Sequence, residues 1–208
     1  MALVKYNNNS ISAVTSAASI PSGALTHIKT LTASSSSTIS FVHGSSDVVL
    51  DSTYPIYVFK FINMHPGTNS SQFTFNLSVD TGSNYNVTKT SSAFEAFHEE
   101  DDGSPNLTYN TSRDLAQGTG YQVFNDNFGT IQNDYSLSGE MFLFNPSSTT
   151  FVKHFMIVNN QLGSSNYQRN FYIAGYGNTT SAVDAVQFKM TSGNIDAGTI
   201  KLYGIKDS

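Results

Sequence analysis

The sequence contains no cysteine and no tryptophan, and only 12% of its 208 residues are charged. Without cysteine, disulfides and thiolate zinc sites are excluded, and the chain suits a reducing cytoplasm. The charged fraction is about half the share of an ordinary globular domain. The 10 Lys and Arg residues are scattered and the net charge is −5, so we expect no nucleic-acid partner.

The sequence also lacks long hydrophobic runs. No apolar stretch approaches the roughly 20 residues that a membrane-spanning helix requires, and we therefore expect no membrane partner. Met1–Lys5 leads into asparagines rather than into the apolar core of a signal peptide. The expected place of synthesis is thus the cytoplasm, which leaves open a later release by lysis.

Serine, threonine and asparagine together make up about a third of the chain. All three are unfavourable inside helices, because their side chains compete for backbone hydrogen bonds. Strands accommodate threonine, and turns favour asparagine, serine and glycine. One explanation of this composition is the codon bias of an AT-rich genome. The other, which we favour, is an all-β protein with a neutral, hydrogen-bonding surface.

Short apolar runs separated by turn residues recur from His27 to the end of the chain. In Gln72–Val79, four apolar residues alternate with polar ones, as in a strand with one solvated face. Tyr54–Met64 is apolar on both alternate sets, which indicates a central strand covered on both faces. Tyr135–Phe144 and Thr150–Val158 flank a turn and should form an antiparallel hairpin.

The chain closes with two further apolar runs, Val186–Met190 and Thr199–Ile205, which we predict to form a terminal hairpin. About ten strands with short turns and no sustained helical period predict an all-β fold, an antiparallel β-sandwich of jelly-roll type. In such folds the first and last strands lie close together. We therefore expect His27–Ala33 beside Thr199–Ile205.

Two segments do not fit the strand pattern. Residues 1–26 have no sustained period and cannot form a core, so we predict an extended anchoring arm before a sandwich domain at 27–208. The residues expected to anchor this arm are Leu3, Val4, Tyr6, Ile11, Val14 and Ile20. Within the sandwich, residues 91–134 are weakly periodic and are expected to form a long irregular excursion, functional or disordered.

The histidines give weak support for a metal site. Glu95 and His98 have the spacing of two ligands on a helix, but no second pair completes a site. A solvated surface segment is the preferred interpretation, and whether an ion binds near Glu95–Asp102 is left open. His154 alternates with Val152 and Met156 and is expected in the core or in an interface.

Catalytic signatures are also absent from the sequence. It has no Gly-x-Ser-x-Gly elbow, no phosphate-binding glycine loop and no His-Glu-x-x-His motif. Glu95 with Asp114, or Glu140 with Asp134, stay open as the paired carboxylates of a glycosidase, without specific support. We predict a protein that is not an enzyme and that has no cofactor, catalytic residue or metal.

Glycan or receptor binding is a more serious possibility. Aromatic rings stack on sugar rings, while Asn and Asp side chains bond hydroxyl groups. The residues that supply such groups are Tyr109, Tyr121, Asn125, Asp126, Asn127, Phe128 and Tyr135. The competing interpretation, which we prefer, is that these aromatic residues pack the excursion onto the sandwich.

The terminal segment Gly193–Ile205 reads GNIDAGTIKLYGI. It resembles the ending of small β-rich structural proteins encoded by marine tailed phages, especially phages of cyanobacteria and other abundant ocean bacteria. Four more segments fit the same pattern: IKTLTASSSSTISFV (28–42), YVFKFINMHP (57–66), DTGSNYNVTKT (80–90) and LFNPSSTTFVKHF (143–155). The resemblance covers about residues 27–205 and implies a virion component, tail-fibre-like or simply structural. It transfers no active-site residues.

The leading hypothesis is a non-enzymatic structural protein of a tailed-phage virion, exposed on a tail fibre or tail appendage and contributing to attachment to host-surface polysaccharide. The arm would bind other virion proteins. A homotrimer is expected, because closed sandwiches and trimers hide strand edges. The first alternative is a capsid decoration protein that stabilises the head shell, and the second is a glycan-binding lectin.

Overall fold

The computed structural model describes residues 24–103 and 105–206, and it is nearly all β, with 56% strand and 1% helix. The strands are β1 (Leu25–Ser36), β2 (Ile39–Val42), β3 (Ile56–Pro66), β4 (Phe73–Ser78), β5 (Lys89–Glu99), β6 (Asn106–Tyr109), β7 (Leu115–Gly118), β8 (Gln122–Val123), β9 (Ser136–Phe144), β10 (Lys153–Gly163), β11 (Tyr167–Gly177), β12 (Ala185–Met190) and β13 (Ile195–Ile205). A single 3₁₀ turn, Ser164–Asn166, joins β10 to β11 in the described part of the chain.

The strands form two antiparallel sheets. The smaller sheet has the order β2-β12-β4-β8, and the larger has the order β1-β13-β3-β9-β10-β11-β5-β6, with β7 also pairing with β5. Eight strands, β1 to β4, β8, β9, β12 and β13, give the sheet orders 1-8-3-6 and 2-7-4-5 when renumbered along the chain. This is the arrangement of a jelly roll, and the predicted fold is confirmed.

The five remaining strands, β10, β11, β5, β6 and β7, extend the larger sheet beyond β9, with β6 and β7 both pairing with β5. The predicted hairpin is present as β9 and β10, in which Leu143 pairs with Phe155. The predicted neighbourhood of the first and last strands is also present, since β1 pairs with β13 and Leu31 lies opposite Ile200.

The predicted terminal hairpin is wrong, because β12 belongs to the smaller sheet and β13 to the larger. The connection between them passes from one sheet to the other and pairs with the segment between β3 and β4. Thr191 N–H donates to Gln72 O at 2.9 Å, and Gly67 N–H donates to Asn194 O at 2.9 Å. Gly193 has φ +66°, a conformation that favours glycine at this turn.

The core lies between the two sheets and is built on phenylalanine. Phe188 of β12 is fully buried at its centre. Six other rings have centroids within 6.5 Å of the Phe188 centroid: Phe41, Phe59, Phe61, Phe73, Phe75 and Phe124. Edge-to-face pairs dominate this cluster, the arrangement that the quadrupoles of aromatic rings prefer.

The predicted solvated face of β4 is wrong, because every residue from Phe73 to Ser78 is buried. Its polar side chains are covered by connecting segments and satisfied by backbone groups. Asn76 Nδ2 donates to Tyr85 O at 2.6 Å and to Thr119 O at 3.0 Å. The alternation therefore separates an apolar buried face from a hydrogen-bonded buried face. β3 is central in the larger sheet as predicted, but the expected cover on both faces is wrong, because Ile62 on its outer face is 40% exposed.

The segment expected to be irregular, 91–134, contains most of β5 and all of β6, β7 and β8. Pairing with β11 in one continuous register gives β5 its regular structure, which the weak periodicity of the sequence did not indicate. At the other end, β1 begins at Leu25, inside the segment expected to form the arm. The anchoring residues Leu3, Val4, Tyr6, Ile11, Val14 and Ile20 lie outside the described residues.

Candidate functional site

The loop that follows β8 covers the inner face of the larger sheet in its part beyond β9. Backbone groups fix this loop, since Phe124 N–H donates to Phe73 O at 2.9 Å and Phe128 N–H donates to Ser71 O at 3.1 Å. From the sheet side, Asn159 Nδ2 of β10 donates to Phe124 O at 2.9 Å. A loop held in this way brings its next residues against the ends of β10 and β11.

A cavity of about 220 Å³ lies at this junction. We call it the Gln161 pocket, and its lining residues are Asp126, Asn127, Gln161, Ser164, Tyr167 and Arg169. Gln161 of β10 is paired in register with Arg169 of β11, so both side chains point to the inner face. The loop after β8 supplies Asp126 and Asn127 on the opposite wall.

Ion pairs hold the charged wall of the pocket. Arg169 Nη1 lies 3.1 Å from Glu95 Oε2 and 3.3 Å from Asp126 Oδ2. Arg113 Nη2 lies 2.6 Å from Asp126 Oδ1. Two guanidinium groups and two carboxylates therefore balance one another, and Asp126 is held by both cations.

Aromatic rings also fix Arg169. Its guanidinium carbon lies 5.0 Å from the ring centroid of Phe97 and 4.9 Å from that of Tyr167. Cation–π contacts of this length stabilise a guanidinium that is removed from water. Arg169 thus presents its remaining N–H groups from a defined position.

Gln161 is the unusual member of the pocket. Its side chain is only 1% exposed, and neither Oε1 nor Nε2 has a hydrogen-bond partner among the described residues. An unsatisfied buried polar group costs about 1–3 kcal/mol, so such groups normally contact water or a ligand. Gly163 makes room for this amide, because a Cβ at that position would lie 2.6 Å from Gln161 Nε2.

A larger cleft, about 450 Å³, lies elsewhere, between the end of β3 and residues 133–136. Four of its polar lining residues are exposed: Asn63, Asn133, Asp134 and Asp196. His65 Nε2 contacts Gln132 O at 3.2 Å, and His65 Nδ1 lies 3.6 Å from Asp196 Oδ2. The cleft contains no fully buried polar side chain, which makes the Gln161 pocket the better candidate for a built site.

The residues predicted to contact a glycan separate into three groups. Only Asp126 and Asn127 line the Gln161 pocket. Asn125, Phe128 and Tyr135 are buried and do not line the pocket, so the structure does not place them where a glycan could contact them. Asn125 has a structural role instead: its Oδ1 accepts from Phe73 N–H at 2.7 Å, and its Nδ2 donates to Asp126 O at 2.6 Å.

Tyr109 and Tyr121 lie away from the pocket. Tyr109 is on β6, is 52% exposed, and donates its hydroxyl to Asp114 Oδ2 at 2.7 Å. Tyr121 is half-buried and donates to the side-chain oxygen of Gln187. The seven predicted residues are near one another in sequence. Strands β7 and β8 lie between them and place them on different parts of the fold, which the residue types did not indicate.

Gln161 and Arg169 were missed by the sequence reasoning, although one signal indicates Gln161. The inner residues of β10 alternate from Phe155 through Ile157 and Asn159 to Gln161, which places the amide on the buried face. Arg169 is brought opposite Gln161 by the 3₁₀ turn between β10 and β11, and the length of that turn is not evident from residue types.

The predicted histidine positions are corrected by the strands. Glu95 and His98 lie on β5 and not on a helix, so that their side chains point to opposite faces of the sheet. Glu95 accepts from Asn110 Nδ2 at 2.9 Å besides its pair with Arg169, and His98 lies 3.2 Å from Asp102. His154 is exposed on the outer face of β10, so its expected place in the core is wrong, and its place in an interface stays a prediction.

The candidate carboxylate pairs are engaged elsewhere. Glu140 forms a 3.2 Å salt bridge with Lys60 on the outer face of the larger sheet, and Asp114 is bound by Tyr109. Over residues 24–103 and 105–206, no group of three or more His, Asp or Glu side chains is arranged to hold a metal ion. In the same ranges, no helix has the length and apolarity needed to cross a membrane.

The outer face of the extended sheet carries a second notable surface. Phe94 and Tyr172 are stacked, with ring centroids 5.1 Å apart and an interplanar angle of 7°. Both are 44% exposed, and Tyr109 continues their row on β6. We call this surface the aromatic face, and its members are Phe94, Leu107, Tyr109, Met156 and Tyr172.

A scan against protein-family models, a search of curated proteins and a search of solved structures each found no match to this chain.

Proposed function

We propose that the protein is a non-enzymatic structural component of a tailed-phage virion, exposed on a tail fibre or tail appendage and contributing to host-surface attachment. The aromatic face is the observation that carries this proposal. Support also comes from the jelly roll, an architecture used by viral capsid and lectin domains. The sequence resemblance to marine phage structural proteins points in the same direction.

The aromatic face is an apolar patch near the upper end of what monomeric proteins expose. Its five side chains are each between 44% and 69% exposed. Together they expose on the order of 500 Å² of apolar surface, in the upper part of the range for the largest patch of a monomer. The largest apolar patch of a monomer is often a functional surface, which supports a contact site here.

The occupant that we propose is a second copy of this chain, within a homotrimer. One row of paired residues crosses the sheet in the order Lys60, Glu140, Val158, Tyr172 and Phe94. Its apolar end is flanked by the Lys60–Glu140 salt bridge, which resembles the apolar centre and polar rim of subunit interfaces. Burying this face would remove it from water at little electrostatic cost.

The assembly can be tested by light scattering coupled to size-exclusion chromatography on the full chain. We expect wild type to be trimeric at micromolar concentration and Phe94→Ser with Tyr172→Ser to shift the mass to the monomer. Phe151→Ser is the matched control, because Phe151 is 68% exposed but lies in the β9–β10 turn. A monomeric wild type, or an unchanged trimer in the double variant, would overturn the interface.

The particle role can be tested by quantitative mass spectrometry of purified virions. A tail-fibre or appendage protein should occur in tens of copies or fewer, and a decoration protein in hundreds. Absence from the virion would overturn the structural role altogether. A count in the hundreds would favour the decoration alternative, in which the aromatic face binds shell subunits.

A further inference from the structure

We propose that the Gln161 pocket binds one neutral sugar unit of a host-surface polysaccharide. The biological meaning of this inference rests on the proposed attachment function. The binding itself is a property of the isolated chain and can be measured without the virion. The chemical class of the ligand follows from the charges, the hydrogen-bonding groups and the size of the pocket.

The charges of the pocket indicate a neutral ligand. Arg169 and Arg113 are offset by Glu95 and Asp126, with contacts between 2.6 and 3.3 Å. An anion would find both guanidinium charges already neutralised, and a cation would find both carboxylates already paired. A polyhydroxyl ligand requires no unpaired charge, because it adds hydrogen bonds to groups that remain paired.

The hydrogen-bonding groups match hydroxyls in particular. The amide of Gln161 lacks both a donor partner for Oε1 and an acceptor for Nε2. A sugar hydroxyl donates and accepts at once, so that two neighbouring hydroxyls can satisfy both amide atoms once the Gln161 side chain turns toward the cavity. Asp126 accepts hydroxyl protons, and Arg169 uses only Nη1 in its ion pairs, which leaves further N–H donors for the ligand.

The size of the pocket limits the ligand to a single ring. At about 220 Å³ the cavity is smaller than the clefts of 300–1,000 Å³ that enclose drug-sized molecules. Asn127 and Ser164 are exposed at its mouth, so a sugar held inside could continue into a longer chain outside. This geometry suits one residue of a polysaccharide better than a free dinucleotide or a peptide.

The binding test uses the purified full chain and saturation-transfer NMR, with the methyl glycosides of glucose, galactose, mannose and N-acetylglucosamine as probes. We expect at least one of the four to bind saturably. Gln161→Leu should weaken that binding at least tenfold, because it removes both amide atoms and leaves an apolar side chain of comparable volume. Gln168→Leu is the matched control, since Gln168 is exposed on the opposite face of β11.

A second variant protects the test against a folding defect in Gln161→Leu. Asn127→Tyr alters an exposed residue at the mouth and should block binding while leaving the thermal midpoint within a few degrees of wild type. No saturable binding by any probe would overturn the inference, and so would full binding by Gln161→Leu. Preferential binding of sialic acid or inorganic phosphate would overturn the neutral class of ligand.

The outcomes also separate this inference from the proposed function. Sugar binding by a chain that is absent from virions would retain the pocket and reject the virion role. A chain that is present in virions, but does not bind sugar, would retain the structural role and reject the pocket.

Discussion

Lys89 and Lys153 lie in register on the two sides of Gly177, each one strand away from it, and both side chains are fully buried. Lys89 Nζ donates to Val87 O at 2.8 Å and to the side-chain oxygen of Asn76. Lys153 Nζ donates to Phe151 O at 2.6 Å. In the described part of the chain, neither lysine forms a salt bridge with a carboxylate. Burial lowers the pKa of Lys89 to about 7, and it lowers the pKa of Lys153 as well.

This depressed pKa makes the fold more stable at alkaline pH. Between about pH 7 and 10.5, the unfolded chain binds a proton at Lys89 that the folded chain does not bind. The free energy of unfolding therefore rises with pH in this window, by up to about 1.4 kcal/mol per pH unit for each such lysine. Urea denaturation at pH 7, 8, 9 and 10 measures this slope.

Lys89→Met should flatten the pH dependence and stabilise the protein at pH 7, because it replaces a buried amine with an apolar chain of similar length. The half-exposed Lys201 of β13 provides the control, and Lys201→Met should keep the wild-type slope. A Lys89→Met variant with an undiminished slope would falsify the assignment of the alkaline stabilisation to this buried amine.

A second titration concerns Tyr57, whose fully buried hydroxyl accepts from Asp51 N–H and donates to Asp51 O, both at 2.9 Å. Burial raises the pKa of Tyr57 to about 12. Above about pH 10 the unfolded chain loses this proton while the folded chain keeps it, so that stability falls as pH rises further. Tyr57 thus opposes the lysine effect at the upper end of the alkaline range.

Absorbance titration of the tyrosinates should show one group ionising near pH 12, later than exposed tyrosines. Tyr57→Phe should remove that late step, whereas Tyr203→Phe, at a half-exposed position on β13, should leave it in place. A late step that persists in Tyr57→Phe would assign the high pKa to another tyrosine.

The jelly roll was predictable because alternation, turn residues and the absence of a helical period all indicate the same fold. The pairing of β1 with β13 followed from the fold itself. The place of β12 in the smaller sheet could not be predicted in the same way, because the short connection after Met190 has the residue types of a hairpin turn. The connection instead forms hydrogen bonds with Gln72 and Gly67, which are far away in sequence, and so passes from one sheet to the other.

The site was less predictable than the fold. Asp126 and Asn127 were identified from residue type alone, whereas Arg169 depends on the register between β10 and β11. Lys89 and Lys153 were not expected in the interior, because lysine is almost never fully buried. In both cases the missing information is which strand lies next to which, and that is a property of tertiary packing.

A substitution at Gly139 tests how closely β9 and β10 approach each other. A Cβ at this position would lie 2.4 Å from Val158 O and 2.6 Å from Asn159 Cα, and both are backbone atoms that cannot move without breaking the sheet register. We expect Gly139→Ala to destabilise the protein by about 2 kcal/mol or more, as overpacking does in tight cores.

The control for this variant is Gly120→Ala. Nothing lies within 4 Å of a Cβ at Gly120, so the substitution should be neutral or stabilise slightly by restricting the unfolded chain. Thermal denaturation of the two variants gives the comparison. Equal midpoints would show that β9 and β10 lie further apart than the structure has them.

Substitutions at Phe188 test how much the aromatic cluster between the two sheets contributes to stability. It is fully buried, and its ring lies within 6.5 Å of six other phenylalanine rings, so Phe188→Ala leaves a cavity that several rigid side chains cannot fill. The expected loss is about 3–5 kcal/mol in the free energy of unfolding, against about 0.5 kcal/mol or less for the exposed Phe151→Ala.

Because a domain of this size has only about 5–15 kcal/mol of stability, Phe188→Leu serves as the milder variant, and its loss of stability should fall between the other two. Urea denaturation that ranks Phe151→Ala as the most destabilising of the three would mean that the two sheets do not pack through Phe188.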